Sequence, residues 1–291
     1  MRVIHIPGLN CYHDCVVTLA YAFGIDYADS LSSVWSEWDM NYDPICRVYL
    51  TQRMPAELER KGMLLKRPCT TPEEREMGWD ALDRSEFAII GMDAYKIPWN
   101  PLYGLQHGPH YFLIQKGSLY CVDPTYGLCG IELTETSLSS DPYALIPVQR
   151  VEAAGLEPIQ AISLMQQARE VQRQHPQRRE LFYQQAEVWL QGTEEERVRP
   201  AKLVDALQTG RCLYRHYLEQ KGVDQEQTPL FFSDSYYRAW KAVKNGFYKA
   251  ALQRKSLGIF QEAYERLCVL LEEEIALAEQ ILLGEGEPNG S

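Results

Sequence analysis

The chain changes character near residue 150, and that change bounds the possible fold more tightly than any other feature of its 291 residues. Before it, short β-rich runs alternate with loops that hold most of the Gly and Pro: Arg2 to Ile6, Ile45 to Leu50, Phe87 to Met92, Tyr111 to Gln115, Leu119 to Val122 and Ala144 to Val148. Helical patterns over 12–23, 55–65 and 71–82 are interleaved with them, the last opened by Thr71-Pro72-Glu73-Glu74 as N-cap, first-turn proline and acidic first turn. After Gly155, Gln, Glu, Arg, Leu and Ala dominate and no alternating strand pattern remains. The expected organisation is an α+β domain over 1–150, an all-α helical domain over 151–284 and a disordered tail over 285–291. Breaks at Pro176, Gly192 and Pro200 and around Gly222 to Pro229 predict four to six helices in a bundle-like arrangement. The last of them, Gly258 to Leu283, gathers Ile259, Ala263, Leu267, Leu270, Leu271 and Ala278 close to one face.

Composition excludes several classes. Hydrophobic residues at 45% and aromatics at 11% belong to a packed globular protein. The apolar runs fall short of the roughly 20 residues a membrane span needs. The N-terminus has no long apolar stretch followed by a small-residue cleavage site, so a cytoplasmic location with no membrane partner is expected. The eight cysteines are then reduced, and their scattered spacing gives neither a disulfide framework nor a paired zinc pattern. A formal charge of −11 argues against general nucleic-acid binding.

The chemistry concentrates in two places. Gly8-Leu9-Asn10-Cys11-Tyr12-His13-Asp14-Cys15 runs directly into an apolar helix, which puts Cys11 beside unpaired backbone N–H groups and the positive helix end, where thiolate is favoured. Cys15, one turn further in, reads as packing. Far downstream, His110 enters one strand of a hairpin turning at Lys116-Gly117-Ser118, and Asp123 leaves the other, so antiparallel pairing brings the two together. Cys, His and Asp in that order supply a nucleophile, a base and an orienting carboxylate. His5 and His13 are competing bases. His107 and His110 with Cys11 and Cys15 can also be drawn as a zinc site, but without the paired cysteines of structural sites no metal is expected. Asp93 and Tyr95 follow the strand at 87–90, and Trp99 and Tyr103 continue an aromatic loop, so these four are candidates for lining a substrate channel. Phe231, Phe232, Tyr236, Tyr237 and Trp240 read as core, with an acyl pocket as the alternative. Arg169, Arg173, Arg178, Arg179, Arg197, Arg199 and Lys202 stand out on an acidic background, as solvated helix surface or as a landing site for an acidic partner.

The order Cys, then His on a strand, then Asp is that of papain-like cysteine enzymes, in which an antiparallel sheet packs on a Cys-bearing helix. More closely, the first 150 residues resemble the N-terminal domain family named after butirosin biosynthesis protein H, which looks like a set of papain-fold acyltransferases. Asn10-Cys11 with Gly24, the stretch Gly91-Met92-Asp93-Ala94-Tyr95-Lys96-Ile97-Pro98-Trp99-Asn100, and His110 through Asp123-Pro124 carry the resemblance. It implies a Cys11–His110–Asp123 triad, without cofactor, that takes an acyl chain from a carrier-protein thioester and passes it to a small-molecule acceptor in natural-product, antibiotic-type biosynthesis. Release by hydrolysis or cyclisation, as by a thioesterase, is open in the same pathways. Papain-like peptidases place a Gln several residues before the cysteine, whereas the first Gln here is Gln52; Asn10 is the substitute oxyanion donor, with the Cys11 N–H. A thioester is already activated, so that departure favours acyl transfer over the alternatives of a papain-like peptidase or amidase, or a non-catalytic binding protein on the same fold.

Overall fold

The computed structural model describes residues 1–6, 8–36, 41–43, 48–50, 53–84, 86–118, 120–132, 142–152, 162–223, 225–253 and 256–284. The chain packs as two compact units, Met1–Ser30 with Tyr42–Ile159, and Leu31–Asn41 with Gln160–Ser291. A single boundary at 150 therefore misassigns one segment. Leu31, Val34 and Trp35 are buried, Trp35 meets Phe231 edge-on at 5.3 Å, and its indole donates to Glu274 Oε2 at 3.1 Å. Those partners lie in the helical half, and they decide where the segment belongs. The tail at 285–291 lies outside the described residues.

The first unit is α+β. Beyond a small ribbon of Asn41–Asp43 (β1) and Val48–Leu50 (β2), it holds a six-stranded sheet built from Met63–Leu65 (β3), Phe87–Asp93 (β4), Pro109–Gln115 (β5), Tyr120–Asp123 (β6), Leu128–Glu132 (β7) and Pro142–Arg150 (β8). The order is β3-β8-β4-β5-β6-β7 and the ladders are antiparallel. Period-two alternation places Ala88, Ile90, Met92, Phe112, Ile114 and Cys121 in one apolar cluster with Leu82 and Ile97. Tyr111, of opposite parity, meets Tyr12 edge-on at 5.7 Å. Tyr12 lies on the helix Cys11–Ala22 (α1). Gly91 is required in β4, since a Cβ there would lie 2.8 Å from the rings of both Tyr111 and Tyr143.

Three expectations change here. Residues Arg2 to Ile6 form no strand; the Ile4 N–H and C=O are satisfied by Thr18 Oγ1 of α1, at 3.0 and 3.1 Å, instead of by a sheet. The helix expected over 55–65 is Arg53–Arg60 (α2), and Gly62, at φ +101°, turns the chain so that Met63–Leu65 becomes β3. β7, interrupted by Gly130, carries no alternation a sequence reading could catch. The helix Pro72–Asp80 (α3) has the predicted cap, in full capping-box form between Thr71 and Glu74. Of the run at 45–50, residues 48–50 are described, as β2.

The second unit contains Leu164–Gln191 (α4), Glu194–Lys221 (α5), Asp234–Leu252 (α6) and Leu257–Gly284 (α7). Gly192 and the Gly222 region separate helices as expected, but Pro176 and Pro200 sit inside α4 and α5. An interior proline costs about 3 kcal/mol in an isolated helix. Pro176 is on the exposed side, while His175, Arg178 and Phe182 on either side are buried and hold the helix on course. Phe231, Tyr236 and Trp240 are core residues. Among the described residues no helix is long and apolar enough to cross a membrane.

Candidate active site

The start of α1 is organised by Asn10. Its Oδ1 caps the helix by accepting the His13 N–H at 2.9 Å, and it also accepts from His13 Nδ1 at 2.8 Å. His13 is fully buried, and burial lowers its pKa to about 4, so it is a neutral prop for Asn10 rather than a base. With Oδ1 doubly committed, the Asn10 amide nitrogen is buried without a hydrogen-bond partner. Cys11, the first helical residue, is partly exposed, whereas Cys15 is sealed in the core. Burial pushes the Cys15 thiol well up, and the negative charges of Cys11, Asp123 and Asp14 add to the rise. Asp14 is also buried; it accepts from His5 Nδ1 at 2.8 Å, the Ile6 N–H at 3.2 Å and Thr125 Oγ1 at 3.0 Å. His5 is thus tied to Asp14.

His110 is the second residue of β5 and Asp123 the last of β6. The ladder pairs Leu113 with Val122 and Ile114 with Cys121. Continued, that register sets Phe112 opposite Asp123 and leaves His110 as its diagonal neighbour on the same face. The hairpin thus joins the two residues diagonally rather than directly, with His110 Nε2 2.7 Å from Asp123 Oδ2. Cys11 lies close enough to the same imidazole to raise its pKa, through hydrogen bonding and charge. Burial draws the pKa of His110 down, but the Asp123 hydrogen bond and the bond and charge of Cys11 outweigh it and raise the value to about 9. The ring is protonated at neutral pH.

Of the four channel candidates, Trp99 reaches this cluster. Its indole N–H donates to Asp123 Oδ2 at 2.9 Å, and its ring meets Phe112 edge-on at 5.3 Å, so it supports the carboxylate from behind. Asp93 instead stitches the two ends of a loop, accepting from the Tyr95 and Gly108 N–H groups, each at 3.1 Å, and from His107 Nδ1 at 2.6 Å. Tyr95 stacks on His107 at 4.5 Å, and Tyr103 stands 52% exposed. His107 and His110 therefore serve different carboxylates. Among the described residues no three His, Cys, Asp or Glu side chains gather as a metal site requires.

Two site residues escaped the sequence reading. The β6–β7 connection, Pro124 to Gly127, is a turn closed by a Gly127 N–H to Pro124 C=O bond of 3.2 Å, with Gly127 at φ +65°. It points Thr125 at Asp14 and lays the Tyr126 ring on His110, centroids 5.2 Å apart and planes 29° apart. The available signal was position: the turn after Asp123 lies at the same sheet end as His110. In the other unit the basic stretch is partly consumed, with Arg178 buried, Arg173 paired to Glu170 and Arg179 to Glu272.

No protein-family model matches this sequence, and comparison with curated proteins finds no significant match.

Proposed function

We propose that the first unit is a papain-like, cysteine-dependent acyl-processing enzyme whose triad is Cys11, His110 and Asp123. One observation carries this reading: a partly exposed cysteine at a helix start acts on an imidazole whose Nε2 is held at 2.7 Å by a buried carboxylate. In the first step Cys11 Sγ attacks the carbonyl carbon of an acyl thioester. The C–S bond to the departing thiol breaks, and the His110 imidazolium supplies that thiol's proton. In the second, an amine, a hydroxyl or water attacks the acyl-Cys11 carbonyl, His110 takes the nucleophile's proton, and the Cys11 sulfur leaves. The oxyanion of each step would be met by the Cys11 backbone N–H, which has no intrahelical partner, and by the unpaired Asn10 amide.

The reading extends to a carrier-tethered substrate in natural-product assembly, with a small-molecule acceptor, hydrolysis or cyclisation as the outcome. Support comes from the single side-chain oxyanion donor, which suits a thioester better than an amide. The test is thiol release from an acyl carrier-protein thioester, run beside a peptide library. Release that disappears in Cys11→Ala is expected. Cleavage of peptides with no thioester turnover would make the protein an amidase or peptidase instead, and inertness toward both would point to a binding protein.

A further inference from the structure

Tyr126 touches the acid–base imidazole yet has no part in the two steps above. Its ring covers one face of His110 at a 5.2 Å centroid separation and stays 38% exposed, so one side meets the histidine and the other is open to a ligand. The hydroxyl is hydrogen-bonded by the Asn100 side chain. Asn100 is buried, and its bond draws the phenol pKa down, as a donor to the phenol oxygen does, so its amide N–H is the donating group. A hydroxyl has one hydrogen and two acceptor positions. With one acceptor position filled, the hydrogen remains to be given. Burial, then the negative charges of Asp123 and Cys11, push the phenol pKa upward, which keeps that hydrogen in place and marks the ring as close to both triad members.

We infer that Tyr126 is a specificity-determining residue that donates its O–H to the leaving arm of the substrate, recognising a thiol arm that carries an amide carbonyl, as a pantetheine-type arm does. The inference rests on the acyl-processing reading of Cys11. It follows from placement: the group that collects the His110 proton is the departing sulfur, so a donor lying against His110 is adjacent to the arm attached to that sulfur rather than to the acyl chain. The backbone arrangement is rigid enough for such a role, because Gly127 closes the turn and Thr125 ties it to Asp14 of α1.

The test uses two thioesters of one acyl group, one on N-acetylcysteamine, which has an amide carbonyl, and one on ethanethiol, which has none. For the wild type and Tyr126→Phe, kcat/KM of thiol release is measured with both. A drop of about tenfold in the ratio of the amide-bearing to the plain thioester is expected for Tyr126→Phe, the size of one lost hydrogen bond. A ratio within twofold of the wild type would overturn the inference, whatever happens to the absolute rates, because a residue that only steadies His110 slows both substrates alike. Melting curves confirm that the isosteric variant folds. If the wild type releases no thiol from either thioester in a Cys11-dependent way, the underlying reading fails, and that outcome is separate from an unchanged ratio.

Discussion

His110 and His175 are both almost inaccessible to water, and both rest Nε2 on a carboxylate, Asp123 at 2.7 Å and Glu274 at 2.6 Å. Burial disfavours the charged ring in each. In the first unit Tyr126 covers one face of the ring, and the Asp123 hydrogen bond together with Cys11 lifts His110 to about 9. In the second the neighbours are cations: Arg178 Nη1 donates to His175 Nδ1 at 3.0 Å, and Arg211 grips Glu274 through Nε at 2.9 Å and Nη2 at 2.7 Å. His175 falls to about 4, with burial the larger cause and the two arginines opposing the pull of Glu274. The same acid–imidazole unit has its ring pKa raised beside a cysteine, where the proposed mechanism uses it as a proton carrier, and lowered beside guanidinium groups. Glu274 also accepts from Trp35 and Tyr236, so the second cluster is a sealed knot holding four helices and the segment around Trp35.

The comparison breaks most visibly if the two histidines are removed in turn. His110→Ala is expected to lower thioester turnover about 10³-fold or more, while His175→Ala leaves the chemistry within a few-fold and shows up in unfolding; equal catalytic losses would erase the distinction. Arg211→Met strands a buried Glu274 and should cost about 3–5 kcal/mol in urea unfolding. Replacing Arg211 and Glu274 together with apolar residues should cost much less.

The pH dependence of stability should run in opposite directions. His110 has its folded pKa raised, so its contribution is complete below about 6.5 and is lost as pH climbs through about 9. His175 has its folded pKa lowered, so the second unit is at full strength above about 6.5 and weakens as pH falls toward about 4. Each term is on the order of 3 kcal/mol. Hydrogen exchange of β5 and of α4, followed from pH 4 to 9, separates the two. The smallest effect is expected from Thr125→Val, which removes one donor from buried Asp14 and should cost about 1 kcal/mol, read as a shift in the urea midpoint.

How far this was legible in the chain depends on the range of the interactions involved. Cys11 at a helix start and the His110–Asp123 hairpin are local patterns, set by a cap residue and by alternation about a turn, so residue spacing exposes them. Trp99 looked like channel lining because alternation predicts a face and says nothing of the indole N–H, which finds Asp123 24 positions away. Tyr126 was invisible because turn residues are read for backbone conformation rather than for where their rings fall. Trp35 joins the helical unit through Glu274, 239 residues further on, a contact no local pattern encodes. Pro176 and Pro200 signalled breaks because propensity cannot register the tertiary packing that carries a helix past them.

The central claim is that Cys11, and no other thiol, forms a covalent acyl intermediate. Intact mass followed by peptide mapping, after brief incubation with an acyl carrier-protein thioester, addresses it directly. The account predicts one acyl group on the peptide containing Cys11, absent in Cys11→Ala and accumulating far more slowly in His110→Ala. An adduct that persists in Cys11→Ala and maps to Cys15, or to another cysteine, would contradict it.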